Sequence, residues 1–448
     1  MSAFHAYDIR GVWEEDFGPE EVYRIGWFLP QVLNAKRVLI GRDCRVSSPE
    51  IHRRLCKGIT DAGADVYDAG LTTTPMIYWG TAKYDMDASV MITASHNDPE
   101  YNGLKVSGRE VTPIGYANGL NRIEELVKSD EPCTPQHSGG KIISLSVMDD
   151  YLAFQRQYSP GTISMKVAID CSDGMAGLIV KELLGSGPLY INDRPDGRFP
   201  HHSPNPLVAK NRQQLVQTVI KNQCDLGIIF DGDADRVMFV DERGEFISPD
   251  LMIALMGHWF FSKPGSGAPV IQDIRSSRSV AAYLSKWKTR MITWRVGRAF
   301  AAQRLRQENG LFGGELAGHY YFKDFYYSDS AMMAAQIILK VLNDFHLNGE
   351  KVSDVIRRIA TWYNSGELNF RIENKSGAMK EVRDYFLSNE TPLSYADFDG
   401  FRLDFEKWWF NIRPSNTEPY LRLLVEADNR ELLDKKTGEI KEILERYK

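Results

Sequence analysis

The sequence predicts an α/β protein: three successive βα-repeat domains with mixed sheets, then a smaller C-terminal α+β domain, around a central cleft. Three observations lead there. At 448 residues the chain exceeds one ordinary core, given roughly 100–200 residues per domain. Short β-branched runs alternate with stretches of helical period, and that rhythm returns several times. The C-terminal part changes character, to amphipathic strands and two charged helices.

The first repeat reads RVLIG as a strand, PEIHRRLCKGITDAG as a helix and ADVYDAG as the next strand. KVAIDCSDGMAG with LIVKELLGSG, and CDLGIIFDGDADRVMFVD, form the second. APVIQDIRSS, SVAAYLSKW and TRMITW form the third. Such βα units need parallel sheets covered by helices. Three segments place an Asp or Arg among small residues just past an apolar strand, which points to internal duplication without a strict sequence repeat. In the closing domain ELNFRIEN, FRLDFEKWWFNIRPS and YLRLLVEAD are strands, while AMKEVRDYFLS and RELLDKKTGEIKEILERY are helices. Expected boundaries fall in the Pro/Ser/Gly-rich stretch 131–140, near Ser248 and near Trp362, giving domains 1–143, 144–247, 248–362 and 363–448.

Composition excludes several classes. Hydrophobic residues make up 43% and charged residues 25%, ordinary values for a globular chain, and the formal charge is −6. No basic block is long enough to track a nucleic acid, so that partner is not expected. Five cysteines without CxxC spacing indicate neither a disulfide framework nor a zinc site, which fits a reducing cytoplasm. No signal-like or membrane-spanning run is expected.

Four segments carry chemistry. VMITASHNDPEYNGLKV ends a strand at Ile92 and follows it with a turn holding Ser95, which a sheet edge would present to a ligand; a plain Asx or Ser turn is the alternative. FDGDADRVMFVD sets Asp231, Asp233 and Asp235 at alternate positions after an apolar run. Those carboxylates repel unless a cation sits among them, and hard oxygen ligands select magnesium or calcium. An EF-hand is rejected because no helix enters the loop; a solvated acidic turn is the bland alternative. LFGGELAGHYYF brings Glu315 and His319 among glycines, as either a site for a hydroxylated ligand or a turn with a structural histidine. NIRPSNTEPYLRLLVE gathers Arg413, Ser415, Asn416 and Thr417 in a turn suited to clamping a phosphate.

TASHN, DGDADR, GELAGH and RPSNTEP, in that order and preceded by YDIRG, resemble the α-D-phosphohexomutase family, within it the bacterial phosphomannomutase/phosphoglucomutase branch, from Tyr7 to Pro419. The resemblance implies an intramolecular phosphotransferase that interconverts hexose 1-phosphate and hexose 6-phosphate, of mannose or glucose. It implies a phosphorylated Ser95, a hexose 1,6-bisphosphate intermediate that also serves as activator, and Mg2+ held by Asp231, Asp233, Asp235 and the Ser95 phosphate. Arg236, Arg10 and Lys105 match positions beside the phosphoserine, and His319 a proton-transfer position. Lys105 would need a lowered pKa to act as a base. Glu315 matches the sugar-binding carboxylate, and Tyr7 belongs to the opening landmark. Arg413, Ser415, Asn416 and Thr417 match the loop for the non-reacting phosphate. The resemblance thus labels the four domains as phosphoserine, metal-binding, sugar-recognition and phosphate-clamp domains, in a monomer or weak homodimer.

The sequence departs from the family at Ala317, where a serine is usual, at Arg275, where lysine is frequent, and at Arg298 after Gly297, where histidine is frequent. The alternatives are a phosphoglucosamine mutase or phosphopentomutase of the same superfamily, a catalytically silent sugar-phosphate binder, and an unrelated metal-dependent phosphatase.

Overall fold

The computed structural model describes residues 3–135, 139–261, 265, 267–415 and 420–447. Its first three sheets share one plan. In the first, parallel strands Asp65–Leu71, Arg37–Arg42 and Ala88–Ile92 lie side by side, and Tyr101–Gly108 pairs antiparallel with the last of them. In the second, the same places are taken by Leu189–Ile191, Val167–Asp170, Leu226–Phe230 and antiparallel Val237–Asp241. In the third they are taken by Met291–Trp294, Val270–Asp273, Phe312–Gly314 and antiparallel Tyr320–Phe322. The duplication expected from sequence is therefore a duplication of strand order.

Local chemistry repeats with it. At the end of the leading strand of each unit an aspartate accepts from the backbone amide two residues on: Arg45 N to Asp43 Oδ1 at 3.0 Å, Ser172 N to Asp170 Oδ1 at 2.8 Å, and Arg275 N to Asp273 Oδ1 at 2.7 Å. Such Asx turns end a strand by giving its backbone a side-chain partner. In the first and third units the turn residue is an arginine whose Nε returns to the same aspartate, at 3.2 Å in both.

The three units share apolar core. Trp79 from the first, Tyr151, Ile169 and Phe230 from the second, and Ile253, Phe312 and Ile337 from the third belong to one continuous buried cluster. Helix Ala331–Leu347 runs through it, buried from Ala331 to Asn343 except at Lys340. The fourth unit is a six-stranded antiparallel sheet with helices Lys375–Asn389 and Arg430–Glu445. Its core, including Phe386, Trp408, Phe410, Leu423 and Ile440, is separate. It meets the third unit through polar groups: buried Arg402 donates to the carbonyls of Ile274 and Ser276 at 2.7 and 3.0 Å, and Glu426 accepts from Arg278 N at 3.0 Å. Among the described residues no helix is long and apolar enough to cross a membrane.

A loop of the second unit ties it to the first. Ser203 Oγ donates to Asp98 at 2.7 Å, and partly buried His202 directs Nδ1 at Ser203 O and Nε2 at Asp170 Oδ2, at 2.9 and 3.1 Å. Burial alone would depress this imidazole; the bond to Asp170 raises it above its ordinary value. A raised histidine adds stability that is complete below the unfolded value near 6.5 and is lost as pH rises through the folded value. Wild type should therefore lose melting temperature above about pH 6.5 more steeply than His202→Gln. Matching pH profiles for the two proteins would show that the histidine is not the source.

Candidate active site

The hairpin joining the last two strands of each repeat plan carries one of the motifs: Ser95 in the first unit, Asp231 to Arg236 in the second, Glu315 to His319 in the third. Equivalent loops at the ends of similar sheets converge because the sheets pack around shared core.

Ser95 has φ of 53°, a left-handed conformation that costs a serine roughly 1–2 kcal/mol. Its neighbours hold it there. Its amide donates to Thr93 Oγ1 at 2.9 Å, and buried Arg45 donates to the carbonyls of Ser95, Asn97, Asp98 and Tyr101 between 2.6 and 3.0 Å. The turn aims Ser95 Oγ at Asp231 Oδ2, 2.9 Å away across the domain boundary. His96 Nδ1 lies 3.4 Å from the same hydroxyl; burial, then the charges of Arg236 and Arg10, push it well below the ordinary histidine value.

Asp231, Asp233 and Asp235 are all buried and offer oxygens within 4.8 Å of one another. Asp231 Oδ1 accepts from the amides of Asp235 and Arg236, each at 3.1 Å. Asp233 Oδ2 takes Thr74 Oγ1 and Lys105 Nζ, the latter at 2.7 Å, and Asp235 Oδ2 takes Lys105 at 2.5 Å. Oδ1 of both Asp233 and Asp235 is buried without a hydrogen-bond donor. Buried carboxylate oxygens without donors are what a hard divalent cation would satisfy, so the residues fit a magnesium-type site. Burial, then Asp235 and Asp233, push the Asp231 carboxyl well up, as expected for like charges crowded without a cation.

The acid–base candidates surround this loop. Lys105 is raised, because Asp233 and Asp235 outweigh the burial that would lower it; the depression a base needs is absent here. Arg236 Nε donates to His319 Nε2 at 2.9 Å, and His319 Nδ1 meets Asp329 Oδ2 at 2.7 Å. A guanidinium only donates, so His319 carries its proton on Nδ1 and a lone pair on Nε2. Arg298 reaches the other oxygen of Asp329 at 3.0 Å and lies over the Tyr78 ring at 3.5 Å, bridging the third unit to the first. Arg10 donates to Asn97 Oδ1 at 2.8 Å and pairs with Asp8.

Glu315 is buried, with Oε1 accepting from Gly297 N at 3.2 Å and Tyr321 Oη at 2.7 Å, and burial raises its pKa. Gly297 has φ of 121°, and a Cβ there would sit 3.1 Å from the Tyr7 ring, so glycine lets the first and third units close together. Burial, and then the charge of Asp399, raise the Tyr7 hydroxyl above its ordinary value, and charges of Arg295, Glu315 and Arg413 from the third and fourth units also act on it. Ala317 offers no polar side chain beside Glu315. Arg275 pairs with Asp273 at 2.7 Å, and Asp273 also accepts from Leu316 N at 2.8 Å, coupling the Asx turn to the sugar-loop candidate. In the fourth unit Arg413 is buried 3.5 Å from Asp399, and Ser415 N donates to Tyr420 O at 2.9 Å. Asn416 and Thr417 lie outside the described residues.

Three participants escaped the motif reading: Arg45, Thr74 and Asp329. Arg45 had a readable signal, the Asp-x-Arg spacing that recurs at Asp273 and Arg275.

These features define a multidomain α/β enzyme of the phosphosugar-mutase type. All four domain models of the phosphoglucomutase/phosphomannomutase family match: α/β/α domains I, II and III at residues 1–132, 150–244 and 248–363, and the C-terminal domain at 367–443. The chain belongs to this family. It is 32% identical to a phosphomannomutase of Methanocaldococcus jannaschii, over 99% of this chain and 98% of the relative. It is 34% identical to one of Vibrio cholerae, over 100% and 99%. A crystal structure of a phosphoglucomutase/phosphomannomutase family protein from Burkholderia thailandensis superposes with a TM-score of 0.84 at 26% identity, covering 99% of this chain and 97% of that one.

The meeting of the serine and metal loops can be tested at Gly232. A Cβ there would fall 2.5 Å from Ser95 O, so Gly232→Ala must separate the loops. We expect a loss of about a hundredfold in turnover, with near-native circular dichroism and melting. Wild-type activity would show that the loops tolerate the separation.

Proposed function

We infer that this chain is a phosphohexomutase interconverting hexose 1-phosphate and hexose 6-phosphate, with mannose and glucose phosphates as substrates. The observation that carries the reading is Ser95 Oγ held 2.9 Å from Asp231 within a buried three-carboxylate loop, whose Arg236 donates to His319 of the third unit at 2.9 Å. The phosphomannomutase relatives support mannose as the first sugar to try.

In this reading Ser95 stands as a phosphate ester. A sugar hydroxyl attacks the phosphorus, the new sugar O–P bond forms, and the Ser95 O–P bond breaks. The hydroxyl proton passes to His319 Nε2, and Lys105, held protonated by two aspartates, returns one to the serine oxygen. The resulting hexose 1,6-bisphosphate turns in the cleft, and its other phosphate refills Ser95 as the protons retrace their paths. Asp231, Asp233, Asp235 and Ser95 would hold Mg2+, which when bound offsets charge on the phosphoryl oxygens. Arg236 and Arg10 add donors near those oxygens. Glu315 accepts from sugar hydroxyls, while Tyr7, Gly297 and Ala317 shape the pocket around it. Arg413 and Ser415, with Asn416 and Thr417, hold the phosphate that is not reacting. Arg275 and Arg298 act through Asp273 and Asp329, by orienting the sugar loop and His319. The four domain assignments, 1–143, 144–247, 248–362 and 363–448, follow the same division of labour.

A coupled assay on mannose 1-phosphate and glucose 1-phosphate, with Mg2+ and a trace of glucose 1,6-bisphosphate, tests the reading. Turnover should fall at least about a thousandfold in Ser95→Ala. It should vanish on chelation and return with Mg2+. Turnover of glucosamine phosphates alone would change the substrate, and turnover surviving in Ser95→Ala would overturn the phosphoserine.

A further inference from the structure

The second unit lacks the arginine that the first and third place two residues after the Asx-turn aspartate; Ser172 stands there instead. The other oxygen of Asp170 is met from farther along the chain, by His202 Nε2 at 3.1 Å. His201 anchors the same segment on Asp173, with Nδ1 2.8 Å from Oδ1, and Asp196 N donates to Asp173 O at 2.8 Å. Residues 196–204 are thus pinned to the second unit at either end, and between the pins they cross onto the first.

Where they cross, they press on the back of the serine loop. A Cβ on Gly197 would overlap Cys44 O and Arg45 Cα, so this backbone rests directly on the Asx turn of the first unit. Phe199 follows, buried and with φ of 47°, a left-handed conformation rare for a bulky residue, and its amide donates to Asp196 O at 2.9 Å. Its ring centroid lies 4.9 Å from Arg45 Cζ. The five N–H groups of that guanidinium are already engaged in plane, one with Asp43 and four with the carbonyls of Ser95, Asn97, Asp98 and Tyr101. Only its flat faces are left for contact, and an aromatic ring is the partner suited to a face. Ser203 Oγ then reaches the loop itself, donating to Asp98 Oδ1 at 2.7 Å. Pro204 comes beside the metal loop, 3.3 Å from where a Cβ on Gly232 would stand.

Resting on the mutase reading, we propose that residues 196–204 are a positioning strap for Ser95, with Phe199 and Ser203 as its two points of action. Both act through other residues, Phe199 through Arg45 and Ser203 through Asp98. The orientation of Ser95 Oγ toward Asp231 is then set from behind by the second unit, as well as by hydrogen bonds within the first. A serine ester that gives its phosphoryl group to one end of a sugar and takes it back from the other needs the same oxygen position in both half-reactions. The strap supplies that constancy. Loosening it slows transfer and leaves sugar binding unchanged, whereas a purely structural strap would lower the melting temperature and leave kcat of the folded protein as it was.

The test compares wild type, Phe199→Leu, Phe199→Tyr and Ser203→Ala as full chains with Mg2+ and saturating glucose 1,6-bisphosphate. It reads kcat and KM for mannose 1-phosphate and glucose 1-phosphate, and the phosphorus NMR line of the phosphorylated serine. Phe199→Leu should lower kcat about tenfold with KM changed less than about twofold, and should shift or broaden the phosphoserine line. Phe199→Tyr, which keeps a ring over the guanidinium, should recover most of kcat. Ser203→Ala should lower kcat severalfold. If Phe199→Leu does not fold, Ser203→Ala decides by the same readouts. Wild-type kcat in the variants, a loss carried by KM, or a loss of kcat with an unmoved phosphoserine line overturns the proposal, while an active wild type with an inactive Ser95→Ala leaves the mutase reading intact. A wild type with neither turnover nor phosphoserine overturns both.

Discussion

The central constraint is electrostatic: three buried carboxylates share a space in which their oxygens lie within 4.8 Å of one another. At an effective dielectric of about 20, each pair repels by at least about 3 kcal/mol, an energy comparable to a sizeable part of a domain's net stability. Much of the surrounding sequence answers that repulsion. Lys105 lies on two of the aspartates, Arg236 stands 4.0 Å from two, and two backbone amides and the Ser95 hydroxyl satisfy Asp231. These groups come from two units, so neutralising the metal loop also docks the first unit on the second. The docking leaves two carboxylate oxygens without donors, and a cation is the natural completion.

The repeated strand plan explains why so few residues need to be special. Each unit contributes a leading-strand Asx turn and a final hairpin, and the site is assembled from these equivalent places. Divergence then assigns different side chains to them. At the Asx turns, Arg45 gathers the carbonyls of the serine loop while Arg275 faces the fourth unit. At the hairpins, a hydroxyl, a carboxylate cluster and a glutamate–histidine pair are presented toward one another. Glycine is required where the hairpins touch, as at Gly232 against the Ser95 carbonyl.

Most of the fold was legible because strand runs such as RVLIG and LGIIF are short, β-branched and bounded by turn residues. The candidate site was legible where charge stands next to apolar strand, as at Asp231, or where several motifs keep their order. Other features depend on spatial partners and left little local mark. Thr74 and Asp329 become interesting only when Asp233 and His319 are seen beside them. Helix Ala331–Leu347 was hidden because its first three turns are buried on nearly all sides, which leaves little amphipathic period to read. The substitutions at Arg275 and Arg298 were visible as departures, but their pairing with Asp273 and Asp329 was not. One expectation shifts in physical terms: Lys105 between two aspartates is held protonated, so its part in a reaction begins as a cation.

The placement of polar and apolar contact follows from the chemistry inferred for the site. A bisphosphate that must present each end in turn needs a cleft that holds one phosphate firmly while the sugar changes orientation. The first three units share core and are suited to staying fixed, since apolar packing resists displacement. The fourth has a separate core and meets the third through arginines, carboxylates and backbone carbonyls, an interface of the kind that permits relative movement. Guanidiniums recognise a phosphate at either end of the sugar equally well. Glu315 is anchored through Oε1 by Gly297 and Tyr321. A shared core across the first three units and a separate core in the fourth are two consequences of where the chain buries its apolar surface.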